Sequence, residues 1–111
     1  MTIYVDEPIF EFRGQKYCHL WTDGELFELH SFIQRIGMDM KWFQSKHQDG
    51  ISWDHYDCGP KFRERAVKAG AVEVDRFAAA EHRLKKVGYW TKEDAKRFAN
   101  MRARRQSKLT A

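Results

Sequence analysis

The chain has 111 residues, 42% of them hydrophobic and 14% aromatic, so it can bury one core without disulfide or metal support. Its apolar runs are a few residues long, which excludes a membrane span, and MTIYVDEP at its start has no secretory-signal pattern. With two cysteines and no signal, we expect a reducing, cytoplasmic location.

The net charge of +4 is distributed unevenly along the chain. Residues 1–82 contain 10 Lys and Arg against 14 Asp and Glu, whereas residues 83–111 contain 10 against 2. A basic segment of this kind can contact phosphate backbones by releasing counterions. The alternative interpretation is a solvated helix face. The candidate contact residues for nucleic acid or another partner are Arg97, Arg102, Arg104, Arg105 and Lys108.

The first third of the chain begins with predicted strands. The β-branched and aromatic residues of TIYV favour a short buried strand at 2–5. Looser alternation predicts two more strands, 9–13 and 16–21, around a turn at Gly14. The second of these two is the better strand.

A helix and a further strand are predicted next. Thr22 and Glu25 have the spacing of a capping box, so a helix should begin there and end at Gly37. Alternating apolar and polar residues in MDMKWF predict a strand at 38–43. A polar loop is expected over 44–54.

The second half predicts three helices and one strand. Pro60 suits the first turn of a helix that Gly70 ends, and AVEV predicts a strand at 71–74. Asp75 can cap a helix that ends at Gly88.

A last helix opens at Thr91 and Asp94, which again have capping-box spacing, and we expect its basic end to fray. The order of elements predicts a small single-domain α/β sandwich, of two or three layers, with a mostly parallel sheet of about four strands and a C-terminal basic helix. We assign residues 1–90 to the α/β domain and 91–111 to the basic helix or tail.

Polar residues cluster where the predicted strands end, which is where open α/β sheets bind ligands. His30 joins this set from the apolar face of the first helix, although a packed structural histidine is the simpler interpretation there. Imidazoles and carboxylates together can hold a divalent metal ion that activates water, or can exchange protons without one. The candidate metal ligands are Asp6, His19, His30 and His55. The candidate catalytic residues are His55, Asp57, His30 and Tyr56.

The cysteines offer two further interpretations. Cys18 with His19 and His55 with Cys58 could each supply two zinc ligands. Neighbouring residues of a strand point to opposite faces, however, which argues against a single ion bound by all four. Cys58 could instead be a nucleophile at a helix N-terminus, but a small residue at the helix start is the favoured interpretation.

Six short motifs carry a family resemblance: IYVD at 3–6, HLWTD at 19–23, ELHSF at 28–32, WFQ at 42–44, HYD at 55–57 and AGAVEV at 69–74. In this order and spacing they resemble a small bacterial and phage family known as domain of unknown function 4031, over residues 1 to about 75. The resemblance implies a polar site but no reaction. Its polar positions in this chain are Asp6, His19, Asp23, His30, His55, Tyr56 and Asp57.

The chain departs from the family pattern in two places. SKHQDGISWD is inserted before HYD, so the approach to His55 should be a longer loop. The basic segment from about residue 76 lies outside the shared part.

Two functional hypotheses follow. The first is a His/Asp-centred hydrolase, metal-assisted or metal-free, that acts on a phosphoester, nucleotide or nucleic-acid substrate. The second is a non-catalytic phage or bacterial accessory protein that binds nucleic acid or a host protein through its basic C-terminal segment. In the second case the His/Asp set is a hydrogen-bonded structural network, and a phage-encoded protein would work in the host cytoplasm.

Overall fold

The computed structural model describes residues 2–110. They divide into two compact units, one that ends at Arg76 and one that begins at Phe77. The strands are β1 (Ile3–Val5), β2 (Phe10–Phe12), β3 (Gln15–Thr22), β4 (Tyr56–Cys58) and β5 (Val72–Glu73). The helices are α1 (Leu26–Arg35), α2 (Pro60–Lys68), α3 (Ala78–Lys86) and α4 (Lys92–Thr110), and a 3₁₀ helix spans Met40–Trp42.

The sheet of the N-terminal unit is centred on β3, which pairs antiparallel with β1, β2 and β4. Only the pairing of β1 with β5 is parallel among the described strands. The predicted α/β fold with a C-terminal helix is confirmed, but the sheet is mixed and the expectation of a mostly parallel sheet was wrong. The turn at Arg13 and Gly14 shows why, because so short a connection can join only antiparallel strands.

The two faces of the sheet have different chemistry. Side chains alternate between the faces along a strand. One face, which we call the core face, carries buried residues that pack against α1 and α2. Its members include Val5, Cys18, Leu20, Tyr56 and Cys58. The opposite face, which we call the site face, carries His19 and its cross-strand partner Asp57.

Helix α1 begins one turn later than predicted. The strand β3 continues to Thr22, whose hydroxyl accepts a hydrogen bond from the backbone N–H of Gly24 at 3.0 Å. The capping box is made by Glu25 and Glu28 instead. Leu29, Phe32 and Ile33 of α1 are buried beneath the sheet, so one apolar side of this helix is the surface it buries.

The segment after α1 is not a strand. The carboxylate of Asp39 accepts a hydrogen bond from the backbone N–H of Lys41 at 3.0 Å and starts the 3₁₀ helix Met40–Trp42. Such a local bond competes with strand pairing, so the alternating pattern at 38–43 was misleading. Pro60 does occupy the first turn of α2, as predicted.

The C-terminal unit consists of α3 and α4. The capping box predicted at Thr91 and Asp94 is confirmed, with N–H to side-chain bonds of 3.0 and 3.1 Å. Helix α4 continues to Thr110 instead of fraying earlier. The domain boundary at residue 90 concerns independent folding and stays a prediction. None of the helices within residues 2–110 has the length and apolarity needed to cross a bilayer.

Candidate functional site

Three polar side chains of the site face converge on one point: His19, His55 and Asp57, which we call the His–Asp cluster. His19 and Asp57 are opposite each other in the β3–β4 pairing, and His55 lies two residues before Asp57 on the same face. One potential ligand atom from each residue lies within 4.8 Å of the other two. His55 is buried, and the other two are half-buried.

His19 is held in one orientation by Asp6. The Asp6 carboxylate is 1% exposed and uses both of its oxygens on this residue. Oδ1 accepts the backbone N–H of His19 at 2.6 Å, and Oδ2 lies 2.8 Å from the ring Nδ1. Because a carboxylate accepts, Nδ1 carries a proton, and in the neutral ring Nε2 then has the lone pair. Asp6 was predicted as a metal ligand, but its contact with the cluster runs through His19.

His55 is oriented by a backbone carbonyl. Its Nδ1 donates to the oxygen of Trp53 at 2.9 Å, so its Nε2 also keeps a lone pair. The indole of Trp53 stacks on the His55 ring at 4.2 Å and meets the His19 ring edge-on at 5.3 Å. The two imidazoles are therefore held by an aromatic wall as well as by hydrogen bonds.

Gln44 forms hydrogen bonds with both His55 and Asp57. Its backbone exchanges two hydrogen bonds with His55, at 2.9 and 3.1 Å, and its side-chain amide donates to Asp57 Oδ2. The other carboxylate oxygen, Oδ1, lies 3.3 Å from His55 Nε2. Neither Gln44 nor Trp53 was predicted as a site residue. The available signal for Gln44 was its place in the WFQ motif.

The cluster offers the ligand types of a zinc-type site, two imidazoles and a carboxylate, with ligand atoms that all lie within 4.8 Å of one another. Metal-bound histidines almost always donate their second ring N–H to a carboxylate or carbonyl, which His19 and His55 both do. Tetrahedral ligands at about 2.0–2.1 Å from zinc lie about 3.3 Å apart. The spacing of His55 Nε2 and Asp57 Oδ1 has this value.

A cleft of about 440 Å³ opens over the His–Asp cluster. Besides the cluster, its walls include Phe10, Gln44, Ile51 and Trp53. The loop 44–54, which includes the inserted segment, therefore supplies much of the wall. The cleft is open to solvent over the His–Asp cluster.

The structure does not bring His30 and Tyr56 into the His–Asp cluster. His30 Nδ1 lies 2.7 Å from the Tyr56 hydroxyl, and its ring packs edge-on against Phe43 at 4.7 Å. Tyr56 belongs to the core face, whereas its neighbours on both sides, His55 and Asp57, belong to the site face. Burial raises the pKa of Tyr56 to about 12, so its hydroxyl stays protonated.

Asp23 lies at the other end of β1, away from the cluster. Its carboxylate accepts the backbone N–H of Thr2 at 2.8 Å and the Tyr4 hydroxyl at 3.0 Å. The bond from Thr2 is the main reason why the pKa of Asp23 is lowered. Asp23 thus stabilises the start of β1 by hydrogen bonds.

The cysteines take no part in the cluster. Cys18 and Cys58 are cross-strand partners on the core face, and both are buried free thiols. Interaction with Cys58 together with burial raises the pKa of Cys18, which keeps that thiol protonated. Because His55 and Cys58 point to opposite faces, the structure does not bring that pair together for a zinc ion.

The basic residues of α4 differ in their surroundings. Arg97 pairs with Asp94 at 3.0 Å, and Arg102 pairs with Glu81 at 2.6 Å. Arg104 and Lys108 are exposed, and Arg105 is half-buried. Contact with nucleic acid through these five residues stays a prediction.

The comparisons with known proteins give one match. The family described as protein of unknown function (DUF4031) matches residues 3–86, which extends beyond the end expected near residue 75. No curated protein and no solved structure matches the chain. The matched segment contains the whole sheet and all three residues of the His–Asp cluster. Since the match covers more than half of the chain, this protein belongs to the DUF4031 family.

Proposed function

We propose that this protein is a metal-dependent hydrolase of phosphoesters, with a divalent ion bound by His19, His55 and Asp57. The supporting observation is that both imidazoles direct Nδ1 to fixed acceptors, so that Nε2 of each neutral ring is the nitrogen able to bind a metal in the cluster. Two lone pairs and a carboxylate that converge repel one another, and either a bound cation or a proton on one imidazole relieves that repulsion. Imidazole nitrogen with carboxylate oxygen suits zinc or iron(II).

The number of ligands supports a catalytic ion over a structural one. Structural zinc sites use four protein ligands, whereas catalytic sites use three and keep a position for water or substrate. The described residues offer three, and the cleft leaves the remaining side open. The ion would lower the pKa of a bound water to about 7, which makes hydroxide available near neutral pH.

The hydrolytic step follows from this arrangement. An ion held by His19, His55 and Asp57 would help a water molecule lose its proton to solvent, and the hydroxide so supplied would attack phosphorus. The new P–O bond forms as the ester P–O bond breaks, and the leaving alkoxide takes up a proton from water. The overall reaction adds one water across the ester. The ion would also offset charge on the phosphoryl oxygens.

Metal titration followed by an activity assay tests this function. Isothermal titration with Zn²⁺ should give one site per chain in the wild type. His55→Gln and Asp57→Asn should each weaken Zn²⁺ binding by about 100-fold, because each loses one of three ligands. His30→Gln is the matched control, since it removes an imidazole on the other face of the sheet and should leave binding unchanged.

Hydrolysis is then measured with bis(p-nitrophenyl) phosphate in the presence of Zn²⁺, Mn²⁺ or Fe²⁺. Activity should require the ion, disappear with EDTA and be absent in Asp57→Asn. Wild-type protein that binds no metal, or the same rate in Asp57→Asn as in the wild type, contradicts the proposed function.

Helix α4 supports a second candidate function, which is binding to a nucleic-acid backbone. Arg104 and Lys108 are exposed and four residues apart, so they lie on the same side of the helix. The plot of log affinity against log salt concentration has a negative slope, and each phosphate contact that is lost should reduce the magnitude of this slope by roughly 0.9. The variant Arg104→Gln/Lys108→Gln should therefore lose nearly two slope units on duplex DNA, while Lys92→Gln at the start of α4 changes little. An unchanged slope in the double variant contradicts this function.

A further inference from the structure

A second, larger depression of about 790 Å³ continues from the cleft along the site face. The two depressions share Phe10, Gln44 and Asp57, so a ligand in the larger one reaches the His–Asp cluster. We call the larger depression the groove. It follows β2 and the first half of β3 towards the hairpin turn, and the start of α2 borders it.

Exposed aromatic rings line the groove. Phe12 is 51% exposed and Trp42 is 48% exposed, so each presents ring surface to solvent. Neighbouring rings hold both in place: Tyr17 meets Phe12 edge-on at 5.6 Å, and Phe62 meets Trp42 at 5.9 Å. The rings therefore form firm surfaces on which flat ligand groups can stack.

The cations of the groove are Arg13 and Lys61. Arg13 is the only non-glycine residue within 2–110 whose φ is positive, at 51°. This position in a tight hairpin turn favours Asn, Asp or Gly, and the arginine found there places its guanidinium over the Phe12 ring, 5.1 Å from its centroid. Glu11 and Asp57 each contribute one negative charge to the groove.

We propose that the groove binds single-stranded nucleic acid, with bases stacked on the aromatic rings and a phosphate next to Arg13. This assignment deepens the proposed function, because it places another phosphate of the same strand at the metal ion. Rows of aromatic rings beside cations are the usual means of binding single strands without sequence preference. The partner is therefore a polyanion with exposed bases.

The length of the groove favours a strand over a single nucleotide. His19 lies four residues along β3 from Gln15, the first residue after the turn, so the cluster is about 13 Å from the turn at roughly 3.3 Å per residue. Phosphates of a stacked strand are about 3.4 Å apart along its axis. A ligand that reaches both the ion and Arg13 therefore spans several nucleotides.

Fluorescence anisotropy with a labelled single-stranded DNA of about ten nucleotides tests the groove directly. The measurement is made in EDTA, so that binding is scored without metal or catalysis. Arg13→Asn removes the guanidinium and suits the turn better, so it should weaken binding about fivefold without loss of stability. Trp42→Ala should weaken binding about tenfold through lost stacking.

Two matched controls separate the groove from general effects. Lys16→Gln removes a cation from the same hairpin outside the groove, and Phe27→Ala removes a 68% exposed ring from α1. Both should bind within twofold of the wild type. Single-stranded RNA of the same sequence should bind similarly, whereas duplex DNA and a mononucleotide should bind at least tenfold more weakly.

Several outcomes overturn the groove assignment. The first is that Arg13→Asn and Trp42→Ala both bind the single strand with wild-type affinity. The second is that the mononucleotide binds as tightly as the single strand. The third is that only Arg104→Gln/Lys108→Gln loses binding. Light scattering adds one more, which is a dimer that Trp42→Ala dissociates. If metal titration fails while the groove variants lose DNA binding, the hydrolase is refuted and the groove stands. If the protein binds metal and hydrolyses phosphoesters but the groove variants bind DNA like the wild type, the groove assignment is refuted and the hydrolase stands.

Discussion

Asp6→Asn tests whether a buried carboxylate prepares His19 to bind metal. In the wild type, the two Asp6 oxygens accept from two donors of His19, the backbone N–H at 2.6 Å and the ring Nδ1–H at 2.8 Å. The asparagine side chain has nearly the same shape as that of aspartate, but it carries one oxygen and one NH₂ group in place of two oxygens. Since the backbone N–H cannot change its role, the oxygen must stay there and the NH₂ must face the ring.

The ring then has to accept from the new amide. Its proton moves from Nδ1 to Nε2, and the nitrogen that should bind the ion becomes a donor. Loss of such a partner of a metal-bound histidine costs about 10–100-fold in metal affinity, or about 1.4–2.7 kcal/mol. We therefore expect Zn²⁺ to bind Asp6→Asn weakly, by about this factor, even when the variant is folded.

Competition with a chromophoric chelator measures the Zn²⁺ affinity, and long-range ¹H–¹⁵N spectra of the metal-free protein report which ring nitrogen carries the proton. Asp23→Asn is the matched control, because Asp23 also accepts one backbone N–H and one side-chain donor but lies outside the cluster. Asp6→Glu keeps the charge and should restore part of the affinity. Wild-type affinity in folded Asp6→Asn, or an unchanged His19 tautomer, refutes the reasoning.

Three further predictions concern stability, measured by urea unfolding. Burial raises the folded-state pKa of Tyr56 to about 12. The stabilisation of the folded state by Tyr56 is therefore complete below about pH 10 and is lost as the pH rises towards 12. The stability advantage of the wild type over Tyr56→Phe should therefore shrink between pH 9 and pH 11.5, and a constant difference contradicts this. The lowered pKa of Asp23 has the opposite sign, so Asp23→Asn should cost under about 1 kcal/mol at pH 7 and nothing near pH 2. Leu29→Ala should cost about 2–5 kcal/mol, because Leu29 is fully buried under the sheet, and a cost below 1 kcal/mol would show that α1 packs loosely.

Much of the sheet and its flanking helices could be predicted from local patterns. The strands around Gly14, the start of α2 at Pro60 and the capping box at Thr91 all depend on residues close together in sequence. The segment 38–43 was misread because one side chain, Asp39, bonds to the backbone two residues later. Pattern alone does not show which of two local arrangements has the lower free energy.

The site was partly predictable for the same reason. Polar residues at strand ends singled out Asp6, His19, His55 and Asp57, and the structure places all four on the site face or at its edge. It was not predictable that HYD is itself a strand start, because β4 has only three residues and is polar at its centre. Gln44 reaches the site through pairing with a residue eleven positions later, which no local pattern encodes.

The short strand β4 links folding to chemistry through its alternation. Tyr56 and Cys58 are fully buried on the core face. His55 and Asp57, which alternate with them in the sequence, belong to the site face. A slip of one residue in the β3–β4 pairing would bury the polar pair and expose the apolar pair. The hydrophobic face therefore fixes the register, and the register places Asp57 opposite His19. The free energy of core burial on one side of the sheet thus holds the arrangement of the His–Asp cluster on the other side, which allows the site face to concentrate polar groups.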